Sequence, residues 1–259
     1  MTGIRIDRPA PGVASVVLDS PETRNALSDA LLDSLLAALT DVRDDETVRV
    51  VILASSHERV FSAGGDLKAF GDDRPLVEKH AGLDRFPRLY LLLAELGKPV
   101  ICAAKGDVLA GAFGIALACD LVIASDAARF GCPEINVGVF PFMISALLAR
   151  NVPRMRANEL MMFGDPVDAA EGHRLGFVNR VVPVDEFDET VLAWAVRLAT
   201  KSPLLMQLGK DALSSTRDLA LPDALALLKD RLALAFSTED MREGVSAFRE
   251  KRSPEWKRR

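Results

Sequence analysis

The sequence predicts an α/β protein in which a strand, turn and helix unit recurs through the first part of the chain and a run of helices follows. Three observations carry this expectation. Residues 48–54 (VRVVILA), 98–104 (KPVICAA) and 120–124 (DLVIA) are short, nearly continuous apolar runs, as expected of strands covered on both faces. Glycine-bearing turns at Gly64-Gly65 and Gly111 each lead toward a helix. After Pro141 the apolar spacing becomes helical.

The elements follow in order. Residues 15–19 (SVVLD) form a strand ended by Ser20-Pro21. Ser28 caps a helix whose Leu31, Leu32, Leu35, Leu36 and Leu39 recur at helical spacing. The strand at 48–54 leads to 61–66 (FSAGGD), a turn opening a helix with Asp66 near its first turn. Residues 71–85 are charged, weakly periodic and include His80, and so read as a surface segment. A helix over 86–96 stops at Gly97, with Pro99 just beyond. The strands at 98–104 and 120–124 flank a helix. Helices then run over 153–163, 169–175, 186–200, 203–216 and 222–237, interrupted by one short strand at 177–182. The spacing of the repeat is about fifty residues. A boundary at Ser202-Pro203 divides a core (1–202) from a C-terminal helical region (203–259) whose Leu/Ala faces suit a partner subunit.

With 49% hydrophobic and 27% charged residues among 259, the chain has the composition of a globular protein with a large interior. A net charge of −5 offers no global attraction to nucleic acid or to an acidic membrane surface. Cys102, Cys119 and Cys132 sit in apolar surroundings with no metal-ligand spacing, which predicts reduced thiols and no structural zinc. The first residues lack the pattern of a signal or transit peptide, so a cytoplasmic location is expected.

The most informative stretch is 108–119, twelve residues without a charge between Asp107 and Asp120. It is too short for a bilayer, which needs ~20 apolar residues, and reads as a buried strand feeding a buried helix. Ala110, Gly111, Ala112 and Gly114 are small enough for another backbone or a ligand to approach closely. A helix beginning near Gly111 presents unpaired N–H groups to an anionic oxygen. The turn at Gly65 uses the same device, so two donors could converge. His57 beside Ser55 and Ser56 lacks a nucleophile-elbow context, and Met161 and Met162 read as core.

The segments FSAGGDL (61–67), KPVICAAKGDVLAGAFGIALACDLVIAS (98–125), RFGCPEINVG (129–138) and SAFREKR (246–252) together resemble the enoyl-CoA hydratase/isomerase, or crotonase, family. The resemblance spans nearly the whole chain. It implies a spiral of ββα units with a C-terminal helical oligomerisation region, assembled as a homotrimer or dimer of trimers. It implies an acyl-CoA thioester substrate, with coenzyme A part of that substrate and no separate cofactor or metal. By the resemblance, the amides of Gly65 and Gly111 hold the thioester oxygen and Glu134 is the acid/base. Ala63, Gly65, Asp66, Leu67, Lys68 and Gly111 would line the acyl-CoA, and Phe248 and Lys251 would reach coenzyme A on a neighbouring subunit. As cations, Arg24 and Lys68 could meet its phosphates, with plain surface charge an equally good reading of Arg24.

The chemistry has its own logic. Moving a proton beside a thioester builds negative charge on the carbonyl oxygen, and fixed N–H donors stabilise that charge. A positioned carboxylate then handles the proton. The sequence departs from the two-carboxylate hydratases, because the position three residues beyond the oxyanion glycine is Gly114. Glu134 alone would carry both proton transfers; Asp107 as a substitute acid reads better as a turn residue. The bulky 139–143 (VFPFM) replaces the small segment of short-chain hydratases. The leading expectation is hydration of a 2-enoyl-CoA. The alternatives are β,γ to α,β isomerisation, a non-catalytic acyl-CoA-binding protein, and nucleic-acid binding through the basic tail 251–259.

Overall fold

The computed structural model describes residues 3–66, 73 and 75–259. The chain builds two sheets that run through it in step. One has the order β1 (Ile4–Ala10), β2 (Val13–Leu18), β3 (Val50–Ser55), β5 (Val100–Ala104), β7 (Leu121–Ser125), β10 (Arg180–Val182). Apart from the β1–β2 hairpin its neighbours are parallel. The other has the order β4 (Val60–Ser62), β6 (Asp107–Leu109), β8 (Arg129–Gly131), β9 (Val167–Asp168), with β4, β6 and β8 parallel and β9 reversed. Each successive pair, β3–β4, β5–β6 and β7–β8, places its first strand in the larger sheet and its second in the smaller. The chain therefore winds forward one position per pair, which is the spiral the sequence resemblance implied.

Side-chain alternation explains why the larger sheet is apolar on both sides. In β3, Val51 and Leu53 enter one core while Val50 and Ile52 enter another; in β5, Val100, Cys102 and Ala104 divide in the same way from Ile101 and Ala103. The first core is closed by α1 (Asp29–Asp44), α3 (Arg85–Ala94) and α4 (Gly111–Ala118). The second is closed by α8 (Phe187–Ala199) through Phe187, Val191 and Ala195. Ser28 caps α1 by accepting from the Leu31 N–H. α4 is buried nearly all round, which explains its apolar run without a polar face.

Several boundaries differ from the sequence expectation. The strands β3, β5 and β7 begin at residues 50, 100 and 121, so the fifty-residue period holds once and then shortens. The long first interval accommodates α2 (Leu76–Leu83) and α3, whereas the second holds only α4. Within the segment read as charged surface, α2 forms a helix with no buried residue. The strand read at the head of the 108–119 run is β6, whereas the short strands β4 and β8 and the first strand β1 carried too little periodicity to be read. α5 (Phe142–Asn151) and α11 (Glu239–Glu250) were likewise missed, while α6 (Arg154–Phe163), α7 (Ala169–Leu175), α9 (Pro203–Thr216) and α10 (Leu221–Ser237) match the helical spacing.

The proposed 202/203 boundary falls at Ser202, the N-cap of α9, whose hydroxyl also bonds Asp240. From α9, buried Lys210 reaches back to the Lys98 carbonyl at 3.0 Å and to Asp120 Oδ2 at 2.7 Å, tying the terminal helices to the strands. Leu221, Leu225, Phe236 and Phe248 on these helices are exposed in the single chain. Among the described residues no helix is long and apolar enough to cross a membrane, and no group of His, Cys, Asp and Glu could hold a metal ion.

Candidate active site

Strand order dictates where the site forms. Because β4, β6 and β8 are parallel neighbours, their carboxyl ends lie side by side, and the segments leaving them form one crevice wall. β4 is followed by Gly65, β6 by Gly111, and β8 by Glu134. These three residues line a single cavity of about 430 Å³.

The turn after β4 is held from below. Asn25 is fully buried at φ +52°, and its side-chain amide donates to Ser55 Oγ (2.8 Å) and to the Phe61 carbonyl (3.0 Å). Its own carbonyl accepts from Ser62 Oγ at 2.7 Å, and Ser62 Oγ accepts from the Gly64 N–H at 3.1 Å. Leu27 N–H then donates to the Gly64 carbonyl (2.7 Å) and Asp66 N–H to the Leu27 carbonyl (3.5 Å), making a parallel bridge between Leu27 and Gly65. In such a bridge the flanking peptide groups make the bonds, so Gly65 turns its own N–H away from Leu27, on the side where it lines the cavity.

The turn after β6 is pressed against the first. Gly64 has φ +90°, and a Cβ there would lie 2.3 Å from the Ala110 Cβ and 2.8 Å from the Leu109 carbonyl oxygen. Only glycine satisfies both the backbone angle and the approach. Ala110 itself has φ +53° and ψ −133°, a strained conformation for a side-chain-bearing residue; its N–H donates to the Gly131 carbonyl, tying it to β8, while its carbonyl accepts from the Phe113 N–H at the head of α4. Gly111 is thus the first residue of α4, where the N–H has no intrahelical acceptor. Gly111 is small for a different reason, since a Cβ there would come within 2.6 Å of Phe86 Cε1.

Glu134 sits on the single helical turn Pro133–Val137 that leaves β8 and ends at Gly138. Burial raises its pKa above the ordinary carboxylate value. Its Oε2 is buried and has no hydrogen-bond partner among the described residues. An orphaned carboxylate oxygen in an apolar cavity is free to receive a proton from whatever occupies that space. Most of the remaining wall is apolar, with Leu83, Phe86, Tyr90, Val137, Phe140, Phe142, Met143 and Ile144 contributing, and the polar Asn136 also lines it.

Of the residues singled out in the sequence, the fold brings Ala63, Gly65, Gly111 and Glu134 together at the cavity. Asp66 follows directly but does not line it. Arg24 is exposed at φ +55° and contributes its carbonyl to the Ala63 N–H (3.0 Å) rather than its guanidinium to the cavity. Leu67 and Lys68 lie outside the described residues. Phe248 and Lys251, at the end of α11, are exposed and do not line this cavity. Asp107 is turned away, its carboxylate held by the Arg129 guanidinium at 2.9 and 2.7 Å. His57 Nδ1 accepts from the Arg59 and Val60 amides, so it serves the turn into β4. The basic tail is also engaged: Arg252 pairs with Glu243 and Glu250, Arg258 with Glu46 and Arg259 with Glu239.

The sequence places a helix over 86–96, which α3 matches, but does not show that helix's part in the site. Phe86 and Tyr90 stand one turn apart on it, meeting Gly111 and Gly114 respectively, and the signal was their i, i+4 spacing within a helix otherwise read as core.

Comparison with known proteins identifies the family. The profile described as Enoyl-CoA hydratase/isomerase matches residues 8–259. The chain belongs to this family. It is an enzyme of the hydratase/isomerase type. A 2,3-dehydroadipyl-CoA hydratase of Escherichia coli (strain K12) is 34% identical over 248 residues, covering 95% of this chain and 96% of the relative. A carnitinyl-CoA dehydratase of Proteus mirabilis (strain HI4320) is 35% identical over 253 residues, with 95% of each chain covered. The crystal structure of an enoyl-CoA hydratase from Mycobacterium smegmatis superposes with a TM-score of 0.94 at 33% identity, covering 98% of both chains. The spiral of paired strands described above is therefore the crotonase fold of this family.

Proposed function

We propose that this protein hydrates a 2-enoyl-CoA thioester, with the amides of Gly65 and Gly111 on the thioester oxygen and Glu134 as the single acid/base. The observation that carries the reading is the orphaned Glu134 Oε2 in the cavity that both glycines line. Glu134, ionised, takes a proton from water as the water oxygen bonds to C3. The C2–C3 π pair moves toward C2 and the carbonyl, placing negative charge on the thioester oxygen between the two N–H donors. Glu134 then returns its proton to C2, and the enzyme is regenerated. Each amide donor of this type contributes roughly 2.7–4 kcal/mol to such a step. Coenzyme A belongs to the substrate, and the sequence of steps needs no separate cofactor.

The acyl chain meets Phe86, Phe140, Phe142 and Met143, so an apolar chain suits the cavity better than a charged one. Arg24, Ala63, Asp66, Leu67 and Lys68 are proposed to follow the coenzyme A, with Phe248 and Lys251 reaching the coenzyme A of a neighbour in a cytoplasmic trimer or dimer of trimers. The exposed Phe248 and the apolar faces of the 203–259 helices support that arrangement. Isomerisation of a β,γ-enoyl-CoA is the second reading, favoured by one feature: Gly114 leaves a single carboxylate, which suffices to carry one proton along one face.

The test is turnover of crotonyl-CoA, longer 2-enoyl-CoA, branched glutaconyl-type and β,γ-enoyl-CoA esters by wild type and Glu134→Gln. Hydration should dominate in the wild type and fall at least about a hundredfold in the variant. Equal turnover by the two proteins would remove Glu134 from the chemistry, and binding without turnover on any ester would make the protein an acyl-CoA carrier.

A further inference from the structure

The place left by the missing carboxylate at Gly114 is occupied. A Cβ built on Gly114 would lie 2.3 Å from the Tyr90 hydroxyl oxygen and 2.6 Å from its Cζ, so the phenol of Tyr90 fills the volume into which a longer side chain at 114 would project. Tyr90 is only 7% exposed and shares the cavity with Glu134. Its hydroxyl donates to the Gly111 carbonyl at 3.0 Å, on the very residue whose N–H faces the thioester oxygen in the reading above. A phenol has one donor and two acceptor positions. With the donor committed to Gly111, what remains to offer the cavity is an acceptor. Burial, and secondarily the negative charge of Glu134, push the Tyr90 pKa upward, so the hydroxyl stays neutral. A neutral acceptor and an orphaned carboxylate in one apolar cavity make a cradle for a molecule with two donor hydrogens.

We infer that Tyr90 holds the attacking water. Its hydroxyl oxygen accepts one water O–H, the Glu134 carboxylate accepts the other, and the water's lone pair is left for C3. The inference rests on the hydratase reading. During addition the O–H bond that faces Tyr90 stays intact and becomes the product hydroxyl. The other water proton goes to Glu134 and from there to C2, so Tyr90 neither gains nor loses a proton. The two jobs divided between carboxylates in a two-glutamate hydratase are divided here between a neutral anchor and one acid/base. Packing alone does not require this hydroxyl, since phenylalanine would fill the same space against Gly114.

The experiment compares two reactions of one protein. Water addition to a 2-enoyl-CoA needs a water held for C3 as well as Glu134 and the amides, whereas exchange of the α-proton of hexanoyl-CoA in D2O needs Glu134 and the amides, with D2O serving only to swap the proton on the carboxyl. In Tyr90→Phe, hydration kcat is expected to fall about 10- to 100-fold, the loss of one hydrogen bond to the reacting water. KM should stay within about twofold, and α-exchange within about threefold of wild type. Gly114→Ala, whose Cβ displaces the hydroxyl, should show the same selective loss. Hydration by Tyr90→Phe within about threefold of wild type overturns the inference, as does a parallel fall in hydration and exchange, which would mark Tyr90 as packing only. A wild type that exchanges α-protons but adds water to no enoyl-CoA overturns the hydratase reading itself, and this inference with it. Glu134→Gln should lose both reactions, which checks the hydratase reading independently of Tyr90.

Discussion

Gly64→Ala probes the contact on which the site geometry depends. The new Cβ would stand 2.3 Å from the Ala110 Cβ and 2.8 Å from the Leu109 carbonyl oxygen, where carbon atoms in contact prefer about 3.5–4.0 Å. The turns after β4 and β6 must therefore separate by more than about 1 Å, or one of them must refold. Holding an alanine at φ +90° adds roughly 1–2 kcal/mol, and the crowding adds about 1–3 kcal/mol. Separation of the turns also parts the Gly65 and Gly111 amides, and misplacing one donor alone lowers kcat about 100- to 1,000-fold. Urea unfolding should show a loss of roughly 2–5 kcal/mol, and steady-state turnover on the best enoyl-CoA should fall by at least two orders of magnitude with α-proton exchange falling in parallel. Gly176→Ala is the control, since φ +92° there strains the backbone with nothing within 4 Å to crowd it. Its stability loss should be smaller and its kcat unchanged. A Gly64→Ala protein with wild-type kcat would refute the idea that this contact sets the two amides.

Glu134→Gln should also change stability, with a definite pH dependence. A carboxyl whose folded pKa lies above its unfolded value destabilises the fold as pH rises from the unfolded to the folded pKa, because the folded chain binds more protons in that window. The variant should match wild type below the ordinary carboxylate range and exceed it by about 1–3 kcal/mol at alkaline pH, measured by urea titration at both ends; no gain at high pH would contradict the orphaned oxygen. The wild-type kcat/KM profile should have its acid limb above the ordinary glutamate value for the same reason, and a midpoint at or below that value would deny Glu134 its buried, raised pKa. Gly114→Glu, the substitution that would restore a second carboxylate, should destabilise the protein because its Cβ collides with Tyr90. Combined with Tyr90→Ala it should unfold at higher urea than Gly114→Glu alone, and strictly additive effects would show that the two side chains do not compete for one space.

How much of this was readable in the sequence depended on how far the relevant interaction reaches along the chain. The buried helix at Gly111 announced itself through an uncharged run, because α4 has no solvent face to supply polar residues. Gly65 and Glu134 were found through local motifs and a family resemblance. Gly64, by contrast, owes its identity to Ala110, and Asn25 owes its burial to Ser55, Phe61 and Ser62. Neither requirement leaves a mark within a few residues of the position that obeys it. Tyr90 was invisible for a related reason: in a helix already dense with leucine, an aromatic residue reads as filler, and only the fold sets its hydroxyl against Gly114. The strands of the smaller sheet, three residues long or shorter, are specified by their neighbours in space and carry no period of their own.

Phe86 and Tyr90 share one face of α3, a single helical turn apart, and so abut two positions of α4 at once. A small slide of this helix would move an acyl-chain neighbour and a proton-chemistry neighbour by the same amount, as two teeth on one rack. On the proposed reading, preference for one chain shape over another and the speed of turnover would thereby be mechanically joined. Swapping side chains in α3 to retune the first should shift the second in the same stroke, whereas substitutions at Phe142 and Met143, carried by the separate helix α5, leave room to alter selectivity alone.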